Sequence, residues 1–154
     1  MYSGPGNMWG RSSSYSARVL RTGAPWDFEG RQPADYIVIN IGTNDGVRIR
    51  EDPAAHGPGF SDAYLAFLEE VRALNPGAHI VCALGPMDFT AEEYIRAAWQ
   101  RFAQDDLNNS FMLFDPRNIE EEGLGPYAHP TLATHRKMAE KLISHIEAIE
   151  EGKE

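Results

Sequence analysis

Three short apolar runs constrain what this chain can fold into: YIVINIG (36–42), HIVCALG (79–85) and FMLFD (111–115). Each has the length of a strand and is rich in β-branched or aromatic residues. None shows the strict alternation of a half-exposed strand, so each is expected to be buried on both faces. Between and after them the period changes. Phe60, Tyr64, Phe67, Leu68, Val71 and Leu74 recur at helical spacing until NPG at 75–77 stops them. Thr90 and Glu93 have the spacing of a capping box and open a second helix along Tyr94, Ala98 and Phe102. A third helix is expected to begin at Pro130 and to bury Leu132, Ala139, Leu142, Ile143 and Ile146. Strands alternating with helices require parallel pairing and right-handed crossovers, so the predicted fold is α/β. We expect a flavodoxin-like, three-layer α/β/α arrangement in a single domain, with 1–34 mostly loop and the core over 35–149.

The first run poses a problem. Residues 36–41 read as an interior strand, yet nothing before them in the sequence reads as a strand to pair with their other edge. An apolar edge left open invites self-association. The N-terminal loop, a second chain or strands preceding Met1 could cover it, and we expect the last, that is, an N-terminally incomplete domain.

Charge narrows the range of partners. Acidic residues outnumber basic ones 23 to 14, for a net charge of -9, which disfavours phosphate backbones and makes nucleic acid an unexpected partner. The apolar runs are too short to span a bilayer, so no membrane partner is expected. Residues 1–14 lack the apolar core of a signal peptide. A lone cysteine, Cys82, excludes an internal disulfide framework and leaves the compartment open.

Open α/β sheets bind ligands at the carboxyl ends of their strands. Three segments end up there: GTNDG (42–46), GPMDF (85–89) and DPRN (115–118). A fourth, GLGPYAHP (123–130), delivers His129 to the start of the last helix, where Pro130 disfavours helical backbone at His129. An imidazole with the usual pKa near ~6.5 can accept a hydroxyl proton at neutral pH and return it to a leaving alkoxide. An asparagine N–H aimed at a developing oxyanion lowers the barrier by roughly 3–4 kcal/mol. Convergence of Asn44 and His129 on one sheet edge is what acyl transfer requires. Asp45 reads as a turn-fixing residue, and Met87 and Phe89 as pocket wall. Tyr127 and Trp26 could stack on a sugar face or simply pack. His56 and His79 read as structural. His135 follows His129 by six residues, opposite sides of a helix, which argues against a zinc pair. Neither a metal nor a cofactor is expected.

The blocks WDFEGRQPADYIVINIGTND (26–45), HIVCALGPM (79–87) and HPTLATHRKMAEKL (129–142) resemble the later blocks of the SGNH/GDSL hydrolases. Within them the likeness is to carbohydrate esterase family two, which includes acetyl xylan esterases. The resemblance implies an oxyanion-donor role for Asn44 and a general-base role for His129. A Ser-Gly pair in SGPG (3–6) would place a second oxyanion donor at the Gly4 N–H. The implied substrate is an acetylated carbohydrate or another small ester. The chain departs from the family twice. Its nucleophile is the serine of a G-D-S block, and no G-D-S occurs here. Ser3, Ser12, Ser13, Ser14, Ser16, Ser61 and Ser144 match no nucleophile turn. The carboxylate that orients the histidine lies two or three residues before it, where this chain has Tyr127 and Pro126. A backbone carbonyl could take over, or Asp115 or Glu120. The expectation is therefore an esterase domain that is inactive alone. The alternative is a non-catalytic sugar-binding or inactive relative.

Overall fold

The computed structural model describes residues 32–152, so Gly4 and Trp26 lie outside the described residues. Strand β1 (Tyr36–Asn40), β2 (His79–Leu84) and β3 (Asn109–Leu113) form one parallel sheet in the order β1-β2-β3. In β1–β2, Ile39 pairs with Cys82, and in β2–β3, Cys82 pairs with Phe111. Helices intervene in the order α1 (Asp45–Glu51), α2 (Pro53–Leu74), α3 (Glu92–Phe102), α4 (Ile119–Glu122) and α5 (Leu132–Glu150).

Side-chain alternation along β2 sorts the helices into layers. Ile80, Cys82 and Leu84 point into a cluster with Phe60, Tyr64, Leu68 and Val71 of α2 and with Ile95, Ala98 and Phe102 of α3. Val81 and Ala83 point the other way, to Met112, Phe114 and the α5 residues Met138, Leu142 and Ile149. Burial of β2 on both faces makes its apolar run continuous, as expected of a central parallel strand. β1 lies at one edge, its Val38 39% exposed, and among the described residues it pairs only with β2. No described helix is long and apolar enough to cross a membrane.

The helix boundaries differ from those read in the sequence, for local reasons. α2 begins at Pro53, where Asp52 caps it by accepting from the Ala55 N–H at 3.0 Å. Gly57, Gly59 and Pro58 hide this first part from a periodicity count, and Ser61 lies inside the helix. The Thr90–Glu93 capping box does not form. The N-cap is Ala91, while the Thr90 N–H is taken by the Asp88 carboxylate at 2.8 Å. Ile95 then occupies the buried stripe with Ala98 and Phe102, and Tyr94 is only partly buried.

α5 starts at Leu132, not Pro130, because the Thr131 side chain caps it. Its buried stripe is also rotated. Leu132 (86%) and Ile143 (55%) are exposed, as is Ala139, and Leu142 and Ile146 are half-buried. Thr134 takes a buried place, held by a 2.5 Å hydrogen bond to Glu122. A polar residue thus sets the helix's rotation, and counting apolar residues cannot detect it.

At the amino ends of the strands Arg72 is the organiser. Its guanidinium donates to both Asp106 carboxylate oxygens (2.5 and 3.1 Å) and to the carbonyls of Asn75, Ala78 and Asn108. Partial burial opposes ionisation of Asp106. The hydrogen bonds from Arg72, Asn108 and Asn109 and the Arg72 charge outweigh it and lower the pKa. Arg72→Ala is expected to destabilise the fold by roughly 2–3 kcal/mol in urea unfolding at neutral pH, since it strips several charge-assisted bonds from half-buried groups. A depressed carboxyl stabilises above its unfolded pKa, and that contribution is lost as pH falls through the folded value. The gap between variant and parent should therefore narrow in acid, leaving the part due to the carbonyl bonds; a gap independent of pH contradicts this assignment.

Candidate active site

The carboxyl ends of the strands meet at one edge, and the turns there are shaped by backbone no ordinary residue adopts easily. Gly42 (φ +123°) lets the chain leave β1 and enter α1, where the Gly46 N–H donates to the Gly42 carbonyl at 2.8 Å. Asn44 occupies the N-cap position, but its side chain makes no capping bond. Asp45 is buried at 3% exposure in the first turn of α1. After β2, Gly85 (φ +118°) passes so close to Phe89 that a Cβ would lie 2.9 Å from its ring. Phe89 therefore packs against the core, not in the pocket wall as expected from sequence. The Asn40 side-chain amide donates to the Gly85 carbonyl at 3.0 Å and joins the tips of β1 and β2.

The turn after Met87 is tied to α1. Asp88 accepts from Arg50 at 2.5 Å as well as from Thr90. Its burial raises the pKa; the Thr90 hydroxyl and amide and the Arg50 guanidinium outweigh that and leave it lowered.

A pocket of about 240 Å³ opens at this edge, lined by Asn40, Thr43, Asn44, Gly85, Pro86, Met87, His129, Pro130, His135 and Met138. It is smaller than a typical small-molecule site of ~300–1,000 Å³, a size suited to a short acyl group. Larger hollows of about 560 and 390 Å³ lie elsewhere, one along the side of the edge strand β3 from Phe111 to Leu113 beside His145 and one at the amino end of β2 beside Pro33 and Pro76. Position decides for the smaller one, because ligands of open α/β sheets bind outside the carboxyl ends.

Asn44, Met87 and His129 thus line one pocket. Tyr127 does not. It stands 95% exposed beside the pocket, on a turn of 3-10 type (Pro126–Ala128). His135, read from its spacing as facing away from His129, lines the same pocket. The spacing argument assumed one helix, whereas His129 is extended backbone ahead of α5. Among the described residues no group of three or more His, Cys, Asp or Glu could hold a metal. Sequence reasoning missed Asn40, Thr43, His135 and Met138. Asn40 is the one polar residue in YIVINIG, but nothing in the sequence marked its amide as a tie. His79 bonds Asn108 at 3.0 Å and Ser110 at 3.1 Å at the opposite end of the sheet, consistent with a structural role.

The turn before His129 is unusual. Tyr127 (φ 54°) and Ala128 (φ 59°) are consecutive left-handed residues, a conformation costing an L-residue about 1–2 kcal/mol. It folds the Pro126 carbonyl back onto His129, where it lies 3.1 Å from the main-chain N and 3.2 Å from Nδ1. A carbonyl only accepts, so this contact selects the tautomer with hydrogen on Nδ1 and leaves Nε2 as an acceptor. The Gly125 N–H donates to the His129 carbonyl at 2.9 Å. The two carboxylates considered for this task are elsewhere: Asp115 pairs with Lys141 at 2.5 Å, and Glu120 sits exposed in α4.

The model of the GDSL-like lipase/acylhydrolase family matches residues 6–137. The chain belongs to this family. CelE, a cellulase/esterase of Acetivibrio thermocellus, is 36% identical over 138 residues, 86% of this chain but 16% of CelE. A family two carbohydrate esterase from Clostridium thermocellum, solved in complex with cellohexaose, superposes with a TM-score of 0.72 at 32% identity. That match covers 87% of this chain and 41% of the esterase. The acetyl xylan esterase Est2A of Butyrivibrio proteoclasticus superposes at 0.76 over 92% of this chain and 46% of its own, and at 22% identity it bears on the fold alone. The GDSL-family chain therefore spans less than half the length of these relatives.

Arg50→Ala is expected to raise the Asp88 pKa towards the ordinary carboxylate value, read by NMR titration of its side-chain carbon. An unchanged midpoint would show that Arg50 does not hold the Met87 turn to α1.

Proposed function

We propose that this chain carries the base and oxyanion-donor part of a serine esterase site that removes acetyl groups from carbohydrates. The observation that carries the reading is the convergence of Asn44 and His129 on one small pocket at the strand tips. In the proposed reaction a serine hydroxyl attacks the acetyl carbonyl while His129 Nε2 takes its proton. Asn44 Nδ2–H and the Gly4 N–H donate to the oxyanion of the tetrahedral intermediate. His129 then protonates the departing sugar alkoxide, leaving an acetyl-serine ester. Water attacks that ester with the same base, releasing acetate and restoring the serine. The Pro126 carbonyl fulfils the orienting role of a carboxylate, giving a two-residue rather than three-residue relay. This chain has no G-D-S block to supply the serine, so it is expected to turn over little ester by itself. Met87 forms pocket wall against the acyl methyl, and Tyr127 and Trp26 offer aromatic faces to sugar rings.

A second reading is supported by the same missing block together with the 95% exposure of Tyr127: a cleft that binds sugar without cleaving it. Titration of labelled chain with acetylated and with deacetylated xylo-oligosaccharide separates the two by NMR. The esterase reading expects preference for the acetylated form, shifts at Asn44 and His129, and an approximately 3–10-fold weakening by Asn44→Ala, the worth of about one hydrogen bond. Equal binding of both forms, indifferent to Asn44→Ala and abolished by Tyr127→Ala, would support the second reading instead.

A further inference from the structure

We propose that Arg117 is a positioning residue for His129, acting through the backbone turn that fixes the imidazole tautomer. It deepens the reading of His129 as the base and rests on it for its functional meaning. Arg117 follows β3 in the segment DPRN, and its Nη1 donates to the Ala128 carbonyl. Its own main-chain N–H reaches the Pro86 carbonyl at 3.3 Å. One residue thus links the ends of β2 and β3 to the turn that presents His129.

The link matters because of what the turn must do. Two successive left-handed residues, Tyr127 and Ala128, bring the Pro126 carbonyl onto the ring Nδ1. Neither is a glycine, so the turn has to be held against relaxation. Inside it, the Ala128 N–H donates to Gly125 at 3.2 Å and the Gly125 N–H to His129 at 2.9 Å. Those bonds close the loop but leave the Ala128 carbonyl facing outward, and the Arg117 guanidinium takes it. The bond is a single one from Nη1, but it comes from a planar guanidinium whose donors point in fixed directions, unlike the freely rotating ammonium of a lysine. The Tyr127–Ala128–His129 backbone, and with it the Pro126–Nδ1 bond, is thereby set from outside. Arg117 makes no bond to the imidazole itself.

The test is long-range nitrogen–proton NMR on the full chain with labelled histidine, recorded above the imidazole titration. The parent is expected to show His129 with hydrogen on Nδ1. In Arg117→Ala that fraction should fall at least 2-fold, with Arg117→Lys recovering part of it. Lys141→Ala, which removes the neighbouring ion pair to Asp115, should leave the tautomer unchanged. The proposal is overturned if folded Arg117→Ala keeps the parental tautomer, if Lys141→Ala changes it equally, or if both Arg117 variants fail to fold, since the claimed role is local. A parent with hydrogen on Nε2 would overturn both this proposal and the orienting role of Pro126. An unaltered tautomer in the variant alone would leave the base reading intact.

Discussion

Parallel pairing of β1 with β2 and of β2 with β3 puts all three carboxyl ends on one edge of the sheet, and every residue of the proposed site depends on that. Asn44 leaves β1 on one turn, Met87 leaves β2 on another, and Arg117 leaves β3 on a third. The Asn40 amide on the Gly85 carbonyl joins the first two tips, and the Arg50–Asp88 pair joins them again one layer out. Arg72 does the corresponding work at the amino ends, where it gathers the loops that precede β2 and β3. Register is therefore pinned at both ends, and the site inherits its geometry from the register.

The two faces of the sheet are held by different physics. α2 and α3 bury a continuous apolar layer that includes Phe60, Tyr64, Leu68, Ile95 and Ala98. α5 covers the other face with a few half-buried side chains, supplemented by polar ties. These are Ser110 to His145 at 2.8 Å, Asp115 to Lys141, and Glu122 to Thr134 and Lys137. The histidine turn lies between α4 and α5, on the polar side. Directional bonds hold orientation more sharply than apolar contact does, which suits a segment proposed to aim one ring nitrogen.

Much of the fold was legible in the sequence because its signals are periodic. The continuous apolar run of β2 requires burial on both faces, and the structure provides it. Element ends were less legible. Asp52 and Thr131 cap helices by hydrogen bonds that no apolar pattern encodes, and Thr90 spends its amide on Asp88 instead of opening α3. The rotation of α5 was misread because Thr134, a polar residue, occupies the buried stripe. In the site, Asn44, Met87 and His129 could be named because motif and strand-tip position agreed. Asn40, His135 and Arg117 could not, since their contacts bridge 45 and 11 residues of sequence in the cases of Asn40 and Arg117.

The central claim is that this chain of a GDSL-type acylhydrolase holds a proton acceptor and an oxyanion donor without the serine they serve. It is tested most directly by incubating the purified chain with 4-nitrophenyl acetate and with a fluorophosphonate, and reading turnover and intact mass beside a His129→Ala control. The account predicts no adduct and no turnover above the control. Turnover that vanishes with His129→Ala, together with a single labelled serine, would contradict it.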